Sequence, residues 1–125
     1  MSAELHIHVK TVTVSEEALA TFFATDGSSR KYVAIGEFTP FRISPERAYD
    51  IIAETPHVWV GKECFLEALI KAIGDELPVI DDELIEKITS ATAEDGRTLY
   101  ELGRATDVLT FLNEHKGERI FTVCW

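Results

Sequence analysis

Apolar and polar residues alternate through the first structured stretch of the chain, LHIHVK, with Leu5, Ile7 and Val9 set against His6, His8 and Lys10. A period of two places the two sets on opposite faces of a strand, so the spacing predicts a half-buried β-strand. Val12 and Val14 are the next apolar positions, and this slip of phase predicts a bulge or strand end near Lys10-Thr11. Ser15 then stands as a helix N-cap, with Glu16 and Glu17 in the first turn, where the helix dipole favours negative charge. Leu19, Phe22 and Phe23 give that helix its apolar side, and Val14 is placed to pack against Leu19.

The pattern continues to switch between the two periods. KYVAIGEF predicts a second strand, weakened at Gly36. Ser44-Pro45-Glu46 is a cap, a first-turn proline and an acid, which start a helix whose buried stripe is Ala48, Ile51 and Ile52. Thr55-Pro56 stops it, and HVWV predicts a third, short strand. After Gly61 a further helix presents Phe65, Leu66, Leu69, Ile70 and Ile73 and ends at Gly74. Asp81 or Asp82 caps the next helix, with Leu84, Ile85 and Ile88 inward. TLYEL fits a strand or the approach to a last helix, which starts near Thr106-Asp107, buries Val108, Leu109, Phe111 and Leu112, and finishes at His115-Lys116-Gly117. RIFTVCW closes the chain as a strand apolar on both faces, hence central or covered. Because helices join most of the strands, the expected class is α+β: one domain over residues 1–125, with a mixed sheet of about four strands and helices packed on it.

Charge changes the picture more than composition does. Twelve Lys and Arg against twenty-two Asp and Glu leave a formal charge of −10. Nucleic-acid phosphates and anionic lipids attract proteins through positive patches, so neither is an expected partner, and a basic protein surface is. No apolar run approaches a membrane span, and the N-terminal residues lack the basic-then-apolar pattern of a secretory signal, which predicts a cytoplasmic protein. Cys64 and Cys124 match no metal spacing, and no disulfide is expected between them.

Several residues invite a chemical reading, each beside a plainer one. Gly61-Lys62 at a strand-to-helix turn suggests an anion site, yet a phosphate loop needs more glycines and a Ser or Thr after the lysine, where this chain has Glu63. Cys64 in a first helical turn near Lys62 has features that lower a thiol pKa, and His57 is a candidate base; the plainer reading is a small residue at a junction. His6 and His8 have the spacing by which a strand offers two metal ligands, but Lys10 continues that face and would oppose a cation, so a solvated or inter-strand polar face is the better account. Asp75, Glu76, Asp81, Asp82, Glu83 and Glu86 form the densest acidic run, with apolar Val79 and Ile80 where a calcium loop needs ligands. Capping explains some of these acids, and a ridge that docks on a basic partner would explain the rest. Phe38 and Phe41 flank Pro40 beside Arg42, an arrangement suited to an interface or small-molecule groove, while most other aromatics are expected in the core.

No cofactor is implied. The expectation is a non-enzymatic acidic binding module, of the kind seen among inhibitors, antitoxin or immunity proteins and anti-defence proteins. The alternative is a small enzyme or nucleotide-binding domain that uses Cys64, and a third reading is a subunit of a homo-oligomer.

Overall fold

A computed structural model describes residues 4–25, 43–62, 65–73 and 77–124. Among them are three strands, β1 (Glu4–Lys10), β2 (His57–Lys62) and β3 (Arg119–Cys124), and five helices, α1 (Glu16–Thr25), α2 (Pro45–Ala53), α3 (Leu66–Ile73), α4 (Asp82–Ser90) and α5 (Ala105–Glu114). The chain divides into two compact units, one of residues 1–9 and 56–125 and the other of residues 10–55.

The larger unit is built on a three-stranded sheet in the order β2-β1-β3, with β1 and β2 antiparallel. The class is α+β, as the alternating periods predict, but the sheet is antiparallel with three strands among the described residues, where a mixed sheet of about four was expected. The strand expected at 31–38 lies outside the described residues. TLYEL is no strand either: Thr98 makes an isolated bridge to Thr92, and residues 99–103 form successive turns that lead into the last helix. Gly103 sits there at φ +72, a backbone conformation that costs glycine least.

Register places Ile7 opposite Val58 and His6 opposite Trp59, with a bulge between Leu5 and His6 that brings Leu5 opposite Gly61. Leu5, Ile7, Val9 and Val60 supply one sheet face to a core completed by Phe65, Leu69, Ile73, Leu84, Ile85, Ile88, Val108, Leu112 and Ile120. The helical stripes read from the 3.6-residue period thus meet the strand face read from the period of two. At the far end of β1, the Val9 N–H donates to the Pro56 carbonyl at 2.9 Å. β3 stands at the end of the described sheet, and its outer side is partly occupied: the Ile80 N–H donates to the Glu118 carbonyl and the Ile120 N–H to that of Pro78.

Caps fall where short polar side chains stand. Asp81 Oδ1 accepts from the Leu84 N–H at 2.7 Å at the start of α4. Ser44 Oγ accepts from the Arg47 N–H ahead of α2, whose first residue is Pro45, and Ser15 Oγ accepts from the Ala18 N–H in α1. In the smaller unit α1 packs on α2, with the Phe22 and Tyr49 rings 6.3 Å apart. No helix among the described residues is long and apolar enough to cross a membrane.

Candidate functional site

Two groups of polar side chains in the larger unit are held by neighbours far away in sequence. The first lies on the sheet face opposite the core. His8 faces His57 in the β1–β2 register, and their rings stack at 4.7 Å with 20° between planes. Phe121 of β3 stacks on the same imidazole at 5.6 Å. His6 meets His57 edge-on at 5.4 Å. Three of the chain's four histidines are therefore in mutual contact, a cluster that could be seen only once β2 was paired to β1.

This face is covered over β1, while His57 and Trp59 on β2 stay exposed. His8 is completely buried, and the His6 side chain is mostly so, with its Nδ1 lacking a hydrogen-bond partner and its Nε2 lying 3.6 Å from Glu4 Oε2. Burial pushes the His6 imidazole below its ordinary range; the Glu4 carboxylate pulls it up, and the charge of His57 pushes it down again. Parallel stacking presents ring faces to one another and does not converge nitrogens on a point. Among the described residues no set of three His, Cys, Asp or Glu is arranged to hold a metal ion.

The second group is built around Arg104. Its backbone is fixed on both sides: its N–H donates to the Leu99 carbonyl at 2.9 Å, and its own carbonyl accepts from Val108 in the first turn of α5. From there the side chain reaches β2, where its Cζ lies 4.7 Å from the centre of the Trp59 ring and 5.9 Å from that of Phe65. Gly61 makes the room. A Cβ at this position would collide with Arg104 Nη1 and lie 3.0 Å from Cζ. Nη1 is buried without a hydrogen-bond partner, and Arg104 enters no ion pair among the described residues. The residue as a whole is only partly buried, and Trp59 stays 40% exposed.

The expected site residues fall into three sets. Cys64, Phe38, Phe41, Arg42, Asp75 and Glu76 lie outside the described residues. Lys62 is exposed at the end of β2, and His57 belongs to the imidazole cluster. Of the acidic run, Asp81 is engaged as the α4 cap, Asp82 pairs with Lys116 at 2.7 Å, and Glu83 lies 3.9 Å from Lys87 one turn on, while Glu86 is exposed. Of the aromatics expected in the core, Phe23, Phe65 and Phe121 are buried, whereas Tyr49, Trp59 and Tyr100 are 51%, 40% and 61% exposed.

Arg104 carries a signal in the sequence itself. A cation at the first residue before a helix opposes the helix dipole and offers no side-chain oxygen for capping, and none is made. A residue so placed against local preference is held there by something else. A strand glycine, in turn, marks the close approach of another group. Compared with known protein families, characterised proteins and solved structures, the chain matches none.

Proposed function

We propose that the chain is a binding module that docks on a basic surface of a partner protein through the acidic side of its larger unit. The supporting observation is how unevenly the charge is distributed. Residues 1–9 and 56–125 contain 15 acids and 7 bases, whereas residues 10–55 contain 7 and 5. Most of the excess charge thus sits on one unit, where α4 holds Asp82, Glu83 and Glu86 in solvent. Such a field accelerates encounter with a cationic surface and opposes nucleic acid.

The test compares equal charge changes in two places. Asp82→Asn, Glu83→Gln and Glu86→Gln on α4 are set against Glu46→Gln, Asp50→Asn and Glu54→Gln at and after α2, with Asp81 left to cap. Association with a lysine-rich peptide is followed over a range of salt. The α4 variant is expected to associate more slowly and with a flatter salt dependence than the α2 variant. Equal losses from both would refute a localised docking face.

A further inference from the structure

We infer that Arg104, lying on Trp59, is an anchor for a single carboxylate brought by a binding partner or a small acid. This reading is independent of the acidic face, since it concerns one cation and the opposite charge in the ligand.

The argument starts from what a structural arginine would look like. An arginine that only staples a fold gives its buried N–H groups to carbonyls or carboxylates, because leaving one unmade costs about 1–3 kcal/mol or more for a charged group. Here Nη1 is buried with no acceptor, in a chain with twenty-two carboxylates, none of which pairs with Arg104 among the described residues. Stacking on Trp59 and Phe65 offsets part of that cost and holds the guanidinium plane still. A glycine is kept at residue 61 in a strand, where it weakens pairing, and any side chain there would displace the guanidinium. Anchored backbone, an aromatic platform and the room that Gly61 leaves for the guanidinium all position a cation that the fold itself does not neutralise.

The ligand class follows from the same atoms. Nη1 is buried, so the edge open to a ligand is the one formed by Nε and Nη2, whose two parallel N–H groups match the two oxygens of a carboxylate. A phosphate carries more charge and would meet stronger repulsion from a −10 chain. The exposed indole beside the arginine adds an apolar surface for whatever bears the acid, and Arg and Trp are the residues that most often dominate binding energy at interfaces.

The chain has two tryptophans, so the Trp125→Phe variant isolates the Trp59 fluorescence. Into that full-length variant, at fixed ionic strength, are titrated an acetylated pentapeptide with a free C-terminal carboxylate, the same peptide amidated, acetate, and inorganic phosphate. A saturable change with the free-acid peptide and none with the amide supports the anchor. Acetate competing with the peptide identifies the carboxylate as the recognised group; acetate matching it in affinity assigns the site to small acids, and weaker acetate assigns it to a peptide or protein. Arg104→Gln is expected to weaken binding at least about tenfold. Arg104→Lys, which keeps the charge without the fork, controls for folding by its thermal midpoint and is expected to fall in between. Phosphate binding as well as the acid peptide overturns the carboxylate assignment. No saturable change, or one that survives Arg104→Gln, overturns the site.

Discussion

The acidic helix α4 and the Arg104 shelf lie in the same unit and hold charge in opposite ways. Along α4 the carboxylates are numerous and exposed, and three of them are already answered: Asp81 by a backbone N–H, Asp82 by Lys116, Glu83 by Lys87. At the shelf there is one charge, partly desolvated, stacked on an indole and answered by nothing among the described residues. Exposed pairs in water contribute up to about 1 kcal/mol, so the helix exerts its influence through its long-range field. A cation already stripped of part of its water can instead contribute to affinity at contact, because its desolvation has occurred during folding. Net charge draws attention to the first surface, and only geometry reveals the second.

The largest expected effect tests the shelf's dependence on its glycine. Gly61→Val forces the guanidinium off Trp59, and the Trp59 fluorescence in the Trp125→Phe background should shift with it; an unchanged spectrum would mean the close approach is incidental. On the helix, the acid most strongly coupled to the fold should be the cap, so Asp81→Ala is expected to cost about 1 kcal/mol, read as a shifted urea midpoint. A cost no greater than that of Asp82→Asn would remove this distinction.

A smaller effect separates the imidazole cluster from both surfaces. Burial makes His6 harder to protonate in the folded chain than in the unfolded one, so below the ordinary imidazole value of about 6.5 the unfolded state binds more protons. The stability associated with neutral His6 is therefore complete above that value and is lost as pH falls through it towards the lowered folded value. Urea midpoints at pH 7.5 and 5.5 should differ in that sense, and the difference should shrink in His6→Leu, with Glu4, His8 and His57 left in place around it. The smallest effect is the sharpest contrast. Arg104→Met removes a cation whose buried N–H has no acceptor, so stability should stay constant or rise by up to about 1 kcal/mol. A large loss would identify the arginine as a staple of the fold.

What could be read from the sequence was local. Ser44-Pro45 and Asp81 give their helix starts because a cap and the turn it closes are three residues apart, and the apolar stripes of α3, α4 and α5 follow from helical period alone. The alternation around His6 and His8 placed them opposite Leu5 and Ile7 correctly, but alternation says which face, and not whether that face is covered; His8 proved buried. Trp59 and Arg104 are far apart in the chain, and no periodicity links them. Gly61-Lys62 reads in the sequence as a turn, while the side chain that crowds the glycine comes from Arg104, forty-three residues on. The exposed aromatics were misjudged because composition counts rings without locating them.

The hydrogen bond from Val9 to Pro56 has a topological consequence. β1 and β2 are antiparallel neighbours, and residues 10–55 both leave and re-enter the larger unit beside that bond. β1 and β2 are thus the arms of a hairpin whose connection carries α1 and α2. Closing a loop costs only about 0.6 kcal/mol more each time its length doubles, so such a junction tolerates very different inserts. The hairpin is a port at which one part of the molecule can diversify while the strands bearing Trp59 and Gly61 keep their register.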